Sequence, residues 1–323
     1  MKKAKNIKKK SSGRAALVFA SLPLMLMFAG CFTGIESTKK INITREDRKL
    51  LTLTEEDTFL NKVHGQPLAE WNTGKQFIVS DGRISLLFDR SGGYHEHSDT
   101  SGMAGRHLAF KGISHRRLPD ASEETVLLLS DEKNEFRLPT GKSPLESRYG
   151  VQSSDIPMLI DLDMVKDADR LLTGRKLWIR TALWYDIDGN RMAGRKFIPV
   201  TVERVEPGTM VFPLRLTLSD ESGLIFIQYM NIGNGGNESR SFAKLFRLSD
   251  PRTSYPAISD ENWALIQKGK IRLGMTKEEC RLSLGNPTST DSGHDYSSTI
   301  DIWKYEDGTF LRFQDGLLID LMK

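Results

Sequence analysis

The chain has 323 residues, with 46 basic and 42 acidic side chains and a formal net charge of +4. Seven of the basic residues lie within the first fourteen positions, so the rest of the chain carries 39 basic against 42 acidic residues. The positive net charge therefore comes largely from the first fourteen residues and does not indicate a nucleic-acid-binding protein. The length is that of about two domains.

The first thirty residues have the pattern of a secretory signal. A basic head, MKKAKNIKKKSSGR, precedes sixteen mostly apolar residues and then Cys31. The apolar run is shorter than the ~20 residues that span a membrane. The sequence Phe-Ala-Gly-Cys at 28–31 resembles the lipobox of bacterial lipoproteins, in which the cysteine becomes lipid-modified and N-terminal. We therefore predict a signal peptide over 1–30 and lipidation of Cys31. The alternative is an ordinary signal peptide followed by a coincidental cysteine.

Lipidation would leave Cys280 as the only thiol, which excludes an intramolecular disulfide. The polar residues 31–43 are then a tether, and the chain contacts the membrane through its lipid. Phe32 stands where some lipoproteins carry the aspartate that retains them at the inner membrane. We therefore expect a lipid-anchored protein of the bacterial outer membrane that faces the periplasm.

Residues 44–72 are predicted to be a short helical lead-in. Thr44 and Thr54 are each followed three residues later by an acid, which is the pattern of helix N-caps. From Lys75 onward the apolar residues recur at every second position, which indicates strands. The first such stretch, QFIVSDGRISLLF, is predicted to be a hairpin around Asp81-Gly82.

The region 73–256 is predicted to be antiparallel β-structure, either a sandwich or small barrels. Several strand-like runs follow one another, with turn signals between them and no helix of crossover length between most of them. Thr73-Gly74-Lys75 and Thr173-Gly174-Arg175 each open such a run. The region therefore admits two modules, with the join near 139–168.

The last segment, 257–323, predicts two short helices and three strands. Thr276 and Glu279 have the spacing of a capping box, and Gly285 and Pro287 are stop signals for the same helix. Cys280 is predicted to be a small core residue, whereas Lys277 and Glu278 are predicted to be exposed. With three strands joined through Asp-Gly turns, this gives an ααβββ two-layer sandwich. The whole chain is thus an α+β multidomain protein.

The motifs of this segment resemble the SmpA/OmlA family, which is also called BamE-like. The matching motifs are Gly274-Met275-Thr276, Leu284-Gly285-Asn286-Pro287, Trp303-x-Tyr305, and Phe313 before Asp315-Gly316. The resemblance covers about 258–323 and implies a small envelope lipoprotein domain that acts as a binding module. The best-known member of the family is an accessory subunit of the machinery that inserts outer-membrane β-barrels. The same fold also occurs in secreted protein inhibitors of β-lactamase.

Candidate catalytic and metal-binding groups are few. His95 and His97, with His107 and His115 further on, are the densest set of possible metal ligands. The first two lie between glycine- and serine-rich stretches, which favours a solvated polar loop, so we predict no bound metal and no cofactor. Asp186–Asn190 resembles a calcium loop but lacks the bidentate glutamate, so it is predicted to be a turn.

Two functions stay open. The first is a non-enzymatic, lipid-anchored envelope protein that binds other proteins or envelope polymers, with a link to outer-membrane protein assembly or envelope integrity and without nucleic acid. The second is an envelope hydrolase whose metal- or histidine-dependent site lies in the β-rich region.

Overall fold

A computed structural model describes residues 54–89, 102–232, 239–295 and 297–323. The described residues belong to one compact unit, Leu51–Lys323. Three antiparallel sheets dominate it and a few helices accompany them, so the expected α+β class is confirmed. The predicted signal, the Cys31 lipid site, the tether and the His95 and His97 pair all lie outside the described residues.

The helices are short. They are α1 (Glu55–Thr58), α2 (Pro144–Gly150), α3 (Leu162–Leu172), α4 (Phe242–Leu245), α5 (Asp260–Gln267) and α6 (Lys277–Leu284). Tighter 3-10 turns occupy Leu68–Glu70, Gly82–Leu86, Ser153–Asp155 and Pro251–Ser254.

The strands form sheets of five, seven and four strands. The first sheet contains β1 (Gln76–Val79), β2 (His107–Arg117), β3 (Glu123–Ser130), β4 (Glu135–Pro139) and β5 (Leu159–Asp161). The second contains β6 (Lys176–Ile179), β7 (Leu183–Tyr185), β8 (Arg191–Ala193), β9 (Ile198–Pro207), β10 (Leu214–Asp220), β11 (Ile225–Met230) and β12 (Phe246–Arg247). The third contains β13 (Ser289–Asp295), β14 (Ser298–Lys304), β15 (Phe310–Gln314) and β16 (Leu317–Met322).

The first sheet has the strand order β4-β3-β2-β1-β5. Its buried face carries alternate apolar residues, among them Phe77 and Val79 of β1 and Leu127 and Leu129 of β3. Irregular segments, rather than the second sheet, complete this core with Trp71, Ile84, Phe88, Met103 and Ile156. Within the described residues the strand order of this sheet is open, so neither the predicted barrel nor a sandwich of the first two sheets is found here.

The predicted hairpin around Asp81-Gly82 is wrong. After β1 the chain makes a 3-10 turn over Gly82–Leu86, and the neighbours of β1 are β2 and β5. A tight Asp-Gly hairpin turn needs positive φ at both central residues. Asp81 instead has a φ of −148°, and its carboxylate accepts the N–H of Arg83 at 2.9 Å. Side-chain capping therefore begins a turn of helix where the sequence pattern predicted a reversal of the strand.

The second sheet has the order β12-β6-β9-β10-β11-β7-β8. Its core contains Val200 and Val202 of β9 and Leu216 and Leu218 of β10. Helix α3 covers this face, because Met164, Val165, Ala168 and Leu172 belong to the same cluster of buried side chains.

Five strands of the second sheet repeat the plan of the first. The order β4-β3-β2-β1-β5 corresponds to β11-β10-β9-β6-β12. Each copy begins with the Thr-Gly motif noted above. The Gly74 N–H donates to the Phe110 carbonyl at 2.7 Å, and the Gly174 N–H donates to the Val202 carbonyl at 2.8 Å. The two motifs therefore mark equivalent positions.

The residue pairs confirm the equivalence strand by strand. Phe110 pairs with Leu129, which pairs with Phe136; Val202 pairs with Leu218, which pairs with Phe226. In both copies the register shifts at the next position, so the same β-bulge is present twice. The third strand and its turn also share sequence, LLLSDE at 127–132 and LTLSDE at 216–221.

The third sheet is a four-stranded meander, β13-β14-β15-β16, packed against α5 and α6. The sequence predicted three strands here, whereas the sheet has four. Strand β13 pairs with β14 from Ser289–Lys304 to Asp295–Ser298. Its sequence, STDSGHD, has no alternation of apolar residues, so it joins the sheet through backbone hydrogen bonds and has no hydrophobic signature.

Candidate binding surface of the C-terminal module

Helix α6 begins as the sequence predicts. The Thr276 hydroxyl accepts the Glu279 N–H at 3.2 Å, and the Glu279 carboxylate accepts the Thr276 N–H at 2.7 Å, which completes a capping box. The helix ends at Gly285, whose φ is +90° and ψ is −171°. That combination is open almost only to glycine, so the glycine is required by the backbone. The motif that carries the family resemblance therefore specifies where helix α6 begins and ends.

Cys280 lies in the core of the module, as predicted. It is fully buried with Met275, Trp303 and Phe313. Burial, and next the nearby Glu279 carboxylate, raise the pKa of the Cys280 thiol to about 12. A thiol with so high a pKa is not a nucleophile near neutral pH.

Lys277 is not the free surface lysine that the sequence suggests. Its ammonium forms an ion pair with Asp301, whose side chain is almost entirely buried. Burial alone would raise the pKa of Asp301, but hydrogen bonds from Lys277 and Ser292 outweigh it and lower that pKa. Lys277 therefore fastens the start of α6 to β14, whereas Glu278 is exposed as expected.

The outer face of the third sheet is uncovered by other described elements of the module and is partly aliphatic. The helices cover the inner face, where Trp303, Leu311 and Phe313 are buried. On the outer face Ile302 and Met322 are 41% and 54% exposed. Ile302 lies opposite Arg312, and Met322 lies opposite Phe310 on neighbouring strands. Apolar and charged side chains thus share this face, whose β15–β16 pairing contains one register shift.

A groove of about 860 Å³ opens at one end of the same module. Its apolar part is formed by Ile271, Leu284, Tyr305 and Leu321, and its rim carries charges of both signs, Lys270, Glu306, Asp307 and Lys323. The Tyr305 hydroxyl donates to the Gly285 carbonyl at 3.2 Å. Burial raises the pKa of Tyr305 to about 12, so the phenol stays a neutral donor.

The connection between β8 and β9 attaches the module to the second sheet. The Lys196 ammonium donates to the Ser283 carbonyl near the end of α6, and the Lys196 N–H donates to the Gln267 carbonyl at 3.0 Å. The ring of Phe197 meets Trp263 edge to face, with centroids 6.1 Å apart. Burial lowers the pKa of Lys196 to about 8. A cation at the carboxyl end of a helix is favoured by the helix dipole, which offsets part of that burial cost.

The described histidines do not form a metal site. His107 and His115 are both exposed on β2 and are eight residues apart. At about 3.3 Å per residue, they are separated by roughly 25 Å, far too much to share one ion. No group of three possible ligands that could hold a metal occurs in the described parts of the chain. At Asp186–Asn190 the Asp186 carboxylate accepts the N–H groups of Asp188 and Asn190, so this stretch is the predicted turn.

A buried polar cluster that sequence analysis missed lies at the start of the first sheet. The Lys75 ammonium is 2.9 Å from the Asp161 carboxylate and 3.0 Å from Asp163, and it also donates to the Gln66 side chain at 3.0 Å. Ser153 donates to the same Asp161 carboxylate. A serine, a lysine and an aspartate in contact have the composition of a catalytic site. Lys75, Asp161 and Ser153 are all buried, however, so the cluster joins the lead-in, β1 and α3 without access for a substrate.

None of the described helices is long and apolar enough to cross a membrane. Comparisons with protein-family models, with curated proteins and with solved structures find no match to the chain.

Proposed function

We propose that this chain is a non-enzymatic, lipid-anchored protein of the bacterial cell envelope, and that its C-terminal module is a BamE-like domain that binds another envelope protein. In this proposal Cys31 carries the lipid, the protein is held at the outer membrane and faces the periplasm, and the two β modules connect the anchor to the binding domain. A contribution to outer-membrane protein assembly or envelope integrity follows from that placement.

The observation that carries the proposal is the uncovered outer face of the third sheet. A small module that buries one sheet face under two helices has no structural need for aliphatic residues on the other face. Ile302, Leu317 and Met322 are nevertheless all more than 40% exposed there. Exposed apolar side chains interspersed with charged ones on one sheet face offer a protein partner both apolar and polar contacts. For the hydrolase alternative, the described His107 and His115 lie far apart, and His95 and His97 lie outside the described residues.

Site-specific crosslinking in intact cells tests the binding role. A photo-crosslinking residue placed at Ile302 or Leu317 is expected to capture one defined envelope protein. The same residue at Ile187, which is exposed in the turn between β7 and β8, is the matched control and is expected to capture none. Equal capture from all three positions, or none from Ile302 and Leu317, would refute the assignment of this face.

The anchor is tested separately. Cys31→Ser should abolish labelling of the protein by radioactive or alkyne fatty acids and release it from the membrane fraction, because the lipid would have no attachment atom. Retained labelling in that variant would show that Cys31 is not the lipid site.

A further inference from the structure

The module built around the first sheet (β1–β5) contains a cavity of about 480 Å³ that the proposed function does not use. It lies between the 3-10 turn after β1, the ends of β3 and β4, and the segment that follows α2. Its apolar lining is entirely aliphatic or proline, consisting of Leu86, Leu87, Leu127, Leu138, Pro139, Val151, Ile156 and Pro157. A volume of this size with mostly apolar walls is within the range of sites for small ligands.

The second sheet shows how the equivalent positions are occupied in the other copy of the strand plan. The registers align Leu138 with Gln228. The ring pairs Phe88–Phe136, which is tilted, and Trp184–Phe226, which is stacked, align Leu87 with Leu183. In the second copy the Gln228 amide donates to the Leu183 carbonyl at 2.8 Å, and Arg240 donates to the Gln228 side chain. In the first copy both aligned residues are leucines that line the cavity; Leu87 is 41% exposed, whereas Leu138 is buried at its base. The equivalent positions are therefore joined by polar contacts in the second copy and are apolar in the first.

The leucines at the mouth have no structural role that explains them. Leu86 is 60% exposed although the neighbouring Ile84 is fully buried in the core. Apolar side chains that line an open cavity gain free energy only when a ligand removes them from water, at about 25 cal/mol per Å².

The rim gives the polarity of the ligand. Arg116 is already paired with Glu124 at 2.8 Å and with Asp89 at 3.2 Å. Lys142 donates to the Gly150 carbonyl, and, after the hydrogen bonds from Ser143, its charge helps to lower the pKa of the nearby Glu146 carboxyl. The cavity is also lined by Asp155, whose carboxylate accepts the Gln152 N–H at 3.3 Å and the Ser154 hydroxyl at 3.4 Å. The Lys142 ammonium donates its hydrogen bond to a carbonyl rather than to a carboxylate, so it can also bind an anionic head group at the mouth of the cavity.

The neighbouring strand edge argues against a peptide. An extended peptide that adds to a sheet needs free backbone groups along an edge strand. At β4 the Asp89 N–H already donates to the Arg137 carbonyl at 2.7 Å, so the chain itself occupies that edge next to the cavity. Nor does the lining offer an aromatic ring, which would favour a flat aromatic ligand.

We propose that this cavity binds the acyl chain of a single monomeric amphiphile, with the chain between Leu87 and Leu138 and its carboxylate or phosphate head group at Lys142. The ligand is a single-chain lipid taken up as a monomer, and the cavity is not a docking surface for a bilayer.

Binding of a fluorescent fatty acid to the purified full chain tests the proposal. We expect saturable enhancement of cis-parinaric acid fluorescence at one site per chain, and displacement by palmitate. Leu87→Trp should fill the cavity from an exposed position and weaken binding about tenfold or more. Leu145→Trp is the matched control, since Leu145 is exposed on α2 and does not line the cavity. Lys142→Glu should weaken binding several-fold, whereas Lys62→Glu, at an exposed position away from the cavity, should leave it unchanged.

Three outcomes would overturn the proposal: no saturable binding, equal binding by the Leu87→Trp and Leu145→Trp variants with unchanged melting temperatures, or binding of the probe only in the presence of phosphatidylglycerol vesicles. Displacement at lower concentration by lysophosphatidylglycerol than by palmitate would assign phosphate as the preferred head group, and the opposite order would assign carboxylate. These results do not depend on the outer face of the C-terminal module, so they leave the crosslinking test independent.

Discussion

At the scale of single residues, the Lys75 cluster shows how polar groups become structural when they are buried together. Lys75 contacts two carboxylates and an amide, and Asp161 also caps the first turn of α3 by accepting the Asp163 N–H at 2.9 Å. Burial alone would raise the pKa of Asp163, but the hydrogen bond and charge of Lys75 outweigh it and lower that pKa. The cluster thus connects the lead-in, the start of β1 and the start of α3.

We predict that Lys75→Met destabilises the protein by ~3–5 kcal/mol, because Asp161 would be left as an uncompensated buried charge. Urea unfolding monitored by tryptophan fluorescence measures the change. Lys62→Met, at an exposed lysine, should change the free energy of unfolding by less than ~0.5 kcal/mol. A second substitution, Asp161→Leu, added to Lys75→Met should restore part of the loss. Equal effects of Lys75→Met and Lys62→Met would show that the cluster does not stabilise the fold.

The helix signals of the C-terminal module give a second prediction at this scale. Thr276→Ala removes the N-cap hydroxyl and should cost about 1 kcal/mol. Gly285→Ala should cost ~1–3 kcal/mol, because alanine at a φ of +90° is strained even though no atom lies within 4 Å of its Cβ. Chemical denaturation of the full chain measures both, with Glu278→Gln as the exposed control on the same helix. If the control destabilised the protein more than either substitution, the structural account of this stretch would be wrong.

At the scale of elements, the repeated strand plan shows that equivalent positions have been filled differently. Phe88 in the first copy lies against Phe136 with centroids 5.0 Å apart, and Trp184 in the second copy stacks on Phe226 at 3.8 Å. In the second copy the covering segment is the hairpin β7–β8, and in the first it is a 3-10 turn. The larger indole fits only because Gly194 lies beneath it.

Gly194→Ala should therefore destabilise the second sheet. A Cβ at this position would lie 2.1 Å from Cδ2 of Trp184, well inside van der Waals contact, so the indole or the hairpin must move. We expect a loss of ~1–3 kcal/mol, typical of overpacking in a core. Gly293→Ala is the matched control, because nothing lies within 4 Å of its Cβ and its φ is not positive. Thermal denaturation gives the melting temperatures of the two variants, which are then compared. A melting temperature for Gly194→Ala that matched the control would mean that Trp184 can relax without cost.

At the scale of the whole molecule, Lys196 connects the second sheet to the C-terminal module. The free-energy cost of burying its ammonium group depends on pH. Burial lowers its pKa from 10.5 in its ordinary state to about 8 in the folded protein. Between these two values the unfolded chain holds a proton that the folded chain has released. The contribution of Lys196 to the free energy of unfolding is therefore fully present above about pH 10.5 and is lost as the pH falls through about 8.

Removal of the ammonium should abolish that pH dependence. The free energy of unfolding of the native chain, relative to that of Lys196→Met, is expected to rise between pH 8 and pH 10. Urea melts of both proteins across this range provide the difference, in which the titration of all other groups cancels. A difference that stays constant with pH would show that Lys196 is not buried at the junction.

The sequence alone determined the features that depend on local chemistry. The capping boxes at Thr54 and Thr276, the turn at Asp186–Asn190 and the burial of Cys280 follow from spacing and residue type. Antiparallel β-structure in the middle of the chain follows from the alternation of apolar residues. The lipid site at Cys31 stays a prediction, because it lies outside the described residues.

Only the tertiary structure decided which distant segments pair. Asp81-Gly82 starts a turn of helix because the partners of β1 come from later in the chain, and β13 joins its sheet without any apolar pattern. The Lys75 cluster and the cavity near Leu87 are assembled from residues about 50 to 90 positions apart, beyond the reach of any local pattern. In the sequence the repeated strand plan leaves only short traces, the Thr-Gly motifs and the related stretches at 127–132 and 216–221. The plan itself depends on backbone pairing and a β-bulge, so the side chains at equivalent positions can differ, as Leu138 and Gln228 do.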